Sequence, residues 1–231
     1  MAFDLLREPP ELPGSLQLLP EQELLATSAV DHADWNYRPI LGRIQRLRFD
    51  LIRSMLRGTH ARRLLEIGYG SGIFFPELVK YADDLHGIDP HPFAGDITGI
   101  LARHGIRASL VTGTAALMPY ADGYFQTVVA VSALEFVDDL TALCREVKRI
   151  LEPGGIFAIV TPAHSPILDL GVRVMTGVSP RADFQNRRQG ILPCLYHQFV
   201  VDRRADYPPF AHGVRLYTAL RLSAPGAPGA R

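Results

Sequence analysis

The sequence predicts an α/β fold: a three-layer sandwich in which a doubly wound, mostly parallel sheet is covered by helices on both faces. Three observations carry this expectation. Between about residues 60 and 162, short apolar runs alternate with segments of helical spacing, a pattern that requires crossovers between parallel strands. A glycine-rich turn, "LLEIGYGSGIFF" from Leu64 to Phe75, sits where the first strand passes into its helix. Two final extended segments, "HQFVVDRR" and "VRLYTALRL", follow one another with no helix between them and so form an antiparallel pair at one edge.

Each element follows in order. Residues 1–36 show no sustained period and are rich in proline and acid, so they read as a loosely packed arm with a helical turn around "EQELLATSA". From Ile40, apolar residues at Ile44, Leu47, Leu51 and Met55 keep helical spacing, and Leu41, Ile52 and Leu56 widen the stripe. Arg43, Arg46, Arg53 and Arg57 read as the solvated face of that helix, which Gly58 ends. Then come the strand "RLLEI", a helix over Phe74 to Tyr81, the strand "LHGID", a helix around Ile97 to His104, and "RASLVTG". The strand "TVVAVS" leads to a helix capped by Asp138 or Asp139, with Leu140, Leu143, Val147, Ile150 and Leu151 in helical period until Pro153-Gly154-Gly155 stops it. "IFAIVTP" is a near-continuous apolar strand, and the tail "SAPGAPGAR" reads as disordered.

Composition excludes several classes. The chain has 231 residues, 47% of them hydrophobic, enough for one domain with a substantial core. Its formal net charge of zero supplies no field for nucleic acid or an anionic membrane. No window approaches the roughly 18 apolar residues of a membrane span. The start "MAFDLLREPPELPG" lacks the basic, unbroken apolar character of a secretory signal. Cys144 and Cys194 are too few for a disulfide framework, which points to a reduced, cytoplasmic protein.

In an open parallel sheet, ligands bind beyond the carboxyl ends of the strands, and the glycine turn occupies that corner. Gly68, Gly70 and Gly72 allow a tight turn and bare the main-chain N–H groups. The spacing GxGxG continues as Ile73-Phe74, so the third glycine of a dinucleotide GxGxxG is absent. Glu66, two residues before the first glycine, repels a diphosphate and attracts a cation with an amino group. Asp89 in "HGIDP" lies near the roughly 20-residue offset at which an acid meets the two hydroxyls of a ribose; a helix cap is the competing reading.

Taken together, "LLEIGYGSG", "GIDP", "GTAALMPYADGYFQTVVAVSALEFVDD" and "CREVKRILEPGGIFAIVTP" resemble the successive motifs of class I S-adenosylmethionine-dependent methyltransferases, in particular the small-molecule branch. The resemblance covers about residues 60 to 162 in unbroken order. It implies a seven-stranded, Rossmann-like sheet with an antiparallel terminal strand, S-adenosyl-L-methionine as cofactor, and methyl transfer as activity. It further implies that Glu66 lies near the amino end of the cofactor's methionine part, lined by Gly68, Gly70 and Gly72. Asp89 would hold the ribose, Thr114 and Ala115 would face the adenine, and Ser132 would lie beside the methionine portion. Tyr69, between the glycines, and Pro90, after Asp89, complete the expected cofactor set. The chain departs from the family in four places. Gly113-Thr114-Ala115 stands where Gly-Asp-Ala is frequent, leaving a neutral partner for the adenine amino group. Gln126 replaces the acid that usually precedes the fourth strand, and Phe136 replaces a frequent histidine. The bulky Tyr69 is expected to cover part of the site.

No catalytic residue is assigned. His164 in "TPAHSP" is the first candidate for a base, followed by Glu135; Tyr196-His197 reads as a wall of a substrate lid, and His91 as packing near the adenosine. "DYPPF", Asp206 to Phe210, matches an amino-group methyltransferase motif only by coincidence, since an extra Tyr207 intervenes and it falls after the sixth strand. The histidines and cysteines show no metal-binding spacing, so no metal is expected. Asp138-Asp139 reads as a helix start and Cys144 as core. The expected organisation is an N-terminal arm at 1–36, a methyltransferase domain at 37–222 with a substrate-side insertion at 166–213, and a tail at 223–231. The expected function is methyl transfer to a small-molecule acceptor. The alternatives are an NAD(P)-dependent oxidoreductase and an inactive S-adenosylmethionine-binding module.

Overall fold

A computed structural model describes residues 14–28, 32–39, 41–163, 182–208 and 215–225, with side chains of the segment beginning at 182 described from Arg187 onward. Apolar runs of the sequence become seven strands in one sheet: β1 (Ala61–Ile67), β2 (Ala82–Asp89), β3 (Ala108–Thr112), β4 (Phe125–Val131), β5 (Leu151–Pro162), β6 (Val200–Tyr207) and β7 (Tyr217–Ser223). Their order is β3-β2-β1-β4-β5-β7-β6. β1 to β5 pair in parallel, while β7 runs antiparallel to both β5 and β6. The terminal pair expected from the sequence is present, with the last strand inserted between β5 and β6. The helices are α1 (Leu41–Met55), α2 (Phe75–Leu78), α3 (Ala94–Arg103), α4 (Leu140–Ile150) and α5 (Ala182–Gln198). Among the described residues, no helix is long and apolar enough to cross a membrane.

Successive strand residues face opposite layers, as the two-residue period requires. Val129, Ala158, Val160 and Ala219 join a core with α1 and α3, whereas Val128, Ala130, Phe157, Ile159 and Leu220 join a second core with α4 and α5. The doubly wound, three-layer arrangement follows from this split.

Four local expectations are corrected. The arm is not loose where it is described: Leu19 is fully buried, its N–H donates to Ile73 O at 3.1 Å, and Gln17 N donates to Glu77 Oε2 at 2.9 Å. Arg53 does not belong to the solvated face of α1. Its side chain is 4% exposed and lies 2.8 Å from Glu77 Oε1, a carboxylate with no exposure, and 2.9 Å from Asp50. α2 spans one turn rather than two, because the chain enters β2 at Ala82. α4 ends at Ile150, before the proline; Pro153-Gly154-Gly155 instead forms an irregularity in β5, between the pairs Phe125↔Leu151 and Thr127↔Ile156. Ile40 lies outside the described residues.

Candidate functional site

The sheet reverses its winding between β1 and β4, and the site opens at the carboxyl ends of those strands, where an open α/β sheet leaves a crevice. β1 leaves the sheet at Gly68, whose φ of 73° is the left-handed conformation that favours glycine. A Cβ there would stand 2.4 Å from the Ala133 Cβ, so β1 and the segment after β4 approach as closely as only glycine allows. Gly70 (φ 50°) has no atom within 4 Å of its would-be Cβ and faces open space. Gly72 differs: its missing side chain makes room for Ile97 of α3, 2.9 Å from a would-be Cβ, so it is a packing position.

Asp89, at the end of β2, braces this corner. Its Oδ2 accepts from Gly70 N at 2.9 Å and its Oδ1 from His91 N at 3.3 Å. It does not cap α3, whose N-cap position is Phe93. His91 Nδ1 accepts from Phe93 N at 3.2 Å, so Nε2 carries the hydrogen it donates to Gly70 O at 3.0 Å. Tyr69 is 3% exposed: its ring packs in the space left by the side-chain-free Gly87 and meets His91 edge-on at 4.9 Å. It therefore forms part of the floor and does not lie over the mouth as expected. Burial pushes its phenol pKa up, and its hydroxyl has no hydrogen-bond partner among the described residues.

A cavity of about 1240 Å³ begins here. Glu66, Gly68, Tyr69, Gly70, Asp89, Pro90, Thr114, Ala115 and Ser132 all line it; of the residues expected to hold cofactor, only Gly72 does not. Thr114 Oγ1 accepts from Ala116 N at 3.3 Å and keeps its hydrogen available for another acceptor. Ser132 adopts φ 51°, a conformation rarely taken by a residue with a side chain. Its Oγ is buried without a partner among the described residues, as is Oε2 of Glu66, which is 3% exposed. An unmade hydrogen bond at a buried polar group costs about 1–3 kcal/mol, so these two groups mark where a polar ligand is expected to bind. Burial raises the Glu66 pKa well above the usual carboxylate range, the Asp89 charge adds to the rise, and Arg48 opposes it.

The cavity continues past the corner into a half that the sequence motifs do not describe. Its walls come from the arm (Thr27, His32, Trp35), from α1 (Leu41, Ile44, Arg48, Phe49), from Glu135 and Phe136 after β4, from Arg188 of α5, and from Tyr217 of β7. Glu135 is 3% exposed, with Oε2 unpartnered among the described residues. Burial pushes its pKa up, against the lowering effect of its own backbone N–H and of Arg188 and Arg48. Burial likewise raises Tyr217.

The candidate bases fare differently. His164 lies outside the described residues. Glu135 and His91 are on the cavity wall. Tyr196 and His197 are exposed on α5 and absent from the wall, and Tyr196 OH instead accepts from Arg204 at 2.9 Å; the residue of α5 that reaches the cavity is Arg188. Asp206 of "DYPPF" is a structural carboxylate, paired with Arg204 at 2.9 Å and accepting from Thr218 at 2.6 Å. Asp139 caps α4 through Ala142 N at 2.8 Å, Asp138 pairs with Arg187 at 2.7 Å, and Cys144 is fully buried. Gln126 bridges Arg63 N and Glu152, a tie within the sheet. Arg48 escaped the sequence reading, although a signal was present: it falls in the apolar series Ile44, Arg48, Ile52 of α1, where a cation is out of pattern.

This strand order, with an acid-flanked glycine corner, defines a nucleoside-binding α/β domain. A model of the "Methyltransferase domain" family matches residues 65–159. The chain is 31% identical over 110 residues to a ubiquinone biosynthesis O-methyltransferase of Azorhizobium caulinodans, covering 46% of this chain and 42% of that one. It is 28% identical over 132 residues to the sterol 24-C-methyltransferase erg6 of Aspergillus fumigatus, covering 51% and 35%. The match thus spans about two fifths or less of each of these two relatives. The fold is shared with the N-methyltransferase NodS of Bradyrhizobium japonicum, solved with S-adenosyl-L-homocysteine, at a TM-score of 0.61 and 17% identity over 87% of this chain and 95% of that one. Residues 65–159 thus resemble the methyltransferase domain family, and the fold is that of the class I S-adenosylmethionine-dependent methyltransferases. S-adenosyl-L-methionine is the family's cofactor, and the residues fit it: an unpartnered buried carboxyl at Glu66 suits an ammonium, and the open face of Gly70 gives a ligand access to the main chain.

Proposed function

We propose that this protein transfers a methyl group from S-adenosyl-L-methionine to a small-molecule acceptor by in-line displacement. The observation that supports this most is the buried, unpartnered carboxyl of Glu66 at the foot of the cavity. When bound, the cofactor supplies a methyl group activated by the adjoining sulfonium. The chain's own residues hold and orient. Glu66 and Ser132 take the methionine end, Gly68 and Gly70 admit the ligand to the backbone, Asp89 grips the ribose diol, and Thr114 with Ala115 borders the adenine. Tyr69 and Pro90 complete the floor. Positioning of this kind contributes about 7–11 kcal/mol to such a reaction, and a base is required only for a protonated, weakly acidic acceptor. For an alcohol or phenol, Glu135 is the carboxyl on the acceptor side placed to take the proton.

A small acceptor is supported by the cavity volume, which exceeds the roughly 300–1,000 Å³ of a single-ligand pocket and so leaves room beside a cofactor. It is supported also by relatives named for ubiquinone biosynthesis and for sterols, and by a net charge of zero, which offers no attraction to a polyanion.

Calorimetry with S-adenosylhomocysteine and with NAD, followed by incubation with methyl-labelled S-adenosylmethionine and a fractionated small-molecule extract, tests the reading. Saturable binding of S-adenosylhomocysteine and label in a small-molecule fraction are expected. Binding of NAD alone would replace the reading with an oxidoreductase, and binding without transfer across a broad acceptor panel would reduce it to a binding module.

A further inference from the structure

We infer that the acceptor is an organic acid, an apolar body carrying a carboxylate or similar oxyanion, and that the guanidinium of Arg48 binds that group. The inference rests on the cofactor site proposed above and concerns the other half of the same cavity.

Arg48 occupies an unusual place. Arg43 and Arg46 of α1, and Arg57 just beyond its end, are exposed, and Arg53 is saturated by Glu77, Asp50 and the carbonyl of Gly14. Arg48 instead lines the cavity; its Nε is buried without a hydrogen-bond partner, and its guanidinium is in no ion pair among the described residues. Its guanidinium carbon lies 4.8 Å from the centroid of Phe49, a contact that steadies the group without satisfying its donors. A planar guanidinium held this way presents paired N–H groups in the geometry that carboxylates and phosphates accept.

Three of the five carboxylates around the cavity have other partners. Asp89 is bound by Gly70 N and His91 N, Asp138 by Arg187, and Asp139 by Ala142 N. Glu66 belongs to the cofactor end. Glu135 is the acid on the acceptor side, and burial raises its pKa, which lessens its repulsion of an anion. The surrounding wall is apolar, with Trp35, Leu41, Ile44 and Phe136 beside the Phe49 ring. A neutral, apolar acceptor would leave the buried Nε of Arg48 without a partner; an oxyanion satisfies it with a charge-assisted hydrogen bond.

The test uses the full chain saturated with S-adenosylhomocysteine. Benzoate, 4-hydroxybenzoate, indole-3-acetate and decanoate are titrated by calorimetry beside their methyl esters, with phenyl phosphate as a separate arm. At least one acid is expected to bind about ten- to a hundredfold more tightly than its ester, the range of a charge-assisted hydrogen bond. Arg48→Gln should abolish that preference and Arg48→Lys should restore part of it. Arg48→Lys, which retains the charge acting on Glu66, should keep the melting temperature and the S-adenosylhomocysteine affinity of the wild type, and Arg48→Gln is titrated at saturating S-adenosylhomocysteine, which separates acceptor binding from folding and from the cofactor reading. Preference for phenyl phosphate over every carboxylate, lost in Arg48→Gln, would assign the oxyanion to a phosphate ester. Esters binding as well as acids, no anion binding at all, or a preference surviving in Arg48→Gln would overturn the inference. Failure of S-adenosylhomocysteine itself to bind would overturn the cofactor reading instead.

Discussion

Glu66 carries two opposed roles. Its carboxyl is buried without a partner among the described residues, and its folded pKa is raised, first by burial and then by Asp89. Below the ordinary carboxylate range, folded and unfolded chains both hold the proton, and the residue contributes nothing to pH dependence. As pH rises from there toward the elevated folded value, the unfolded chain loses its proton first, so stability falls. Glu66→Gln should therefore raise the melting temperature of the ligand-free protein at pH 8 relative to pH 5, compared with wild type, while weakening S-adenosylhomocysteine binding by about tenfold or more, the lower range for a hydrogen bond to a charged group. Calorimetry and thermal melts at both pH values check the pair of effects; tighter binding by the variant would contradict the assigned role. Asp89 differs because its carboxylate already holds Gly70 N and His91 N. Asp89→Asn should thus lower cofactor affinity about ten- to a hundredfold and also loosen the glycine loop, visible as faster amide exchange at Gly70.

At the scale of elements, α1 is two helices in one. Its outer face is basic and exposed at Arg43 and Arg46, while inward Arg48 faces the cavity and Arg53 joins a buried network. Glu77, with no exposure, lies 2.8 Å from Arg53 Nε and 2.7 Å from Lys80 Nζ, and it accepts from Gln17 N. One carboxylate thereby ties α1, α2 and the arm together. Removing one partner of a buried pair costs about 3–5 kcal/mol, and the Asp50 carboxylate that stays on Arg53 holds the loss to the lower end of that range. Glu77→Gln should lower the melting temperature by roughly 6–12 °C, taking the lower bound of that cost and about 2–4 °C per kcal/mol at this size. A loss under about 2 °C in a thermal melt would show the pair to be dispensable. The network escapes a periodicity reading because Arg53, next to Ile52 in the helical pattern, has the same sequence signature whether its head reaches water or a carboxylate on another helix.

For the whole molecule, the strand order places the carboxyl ends of β1, β2 and β4 side by side, and with them Glu66, Asp89 and Ser132, which are far apart in the chain. Opposite them, the arm, α1, α5 and β7 close the cavity. β6 stands at the far edge of the sheet. Hydrogen exchange with and without S-adenosylhomocysteine should therefore show protection at residues 66–71, 89–91, 113–115 and 131–133, and no change at 200–206. Protection spread evenly to β6 would argue against a ligand at the winding reversal.

The sequence by itself determined the layered α/β class, the five parallel strands and the antiparallel end, and it singled out nine residues that line one cavity, because each rests on local information: apolar period, turn chemistry and motif spacing. Only the tertiary structure decided that Gly72 packs against α3, that Tyr69 forms floor rather than cover, and that Arg48, Arg188 and Tyr217 meet across one space. Those facts depend on which distant segments the packing brings together, and a side chain's surroundings, unlike its periodicity, are not written in its neighbours along the chain.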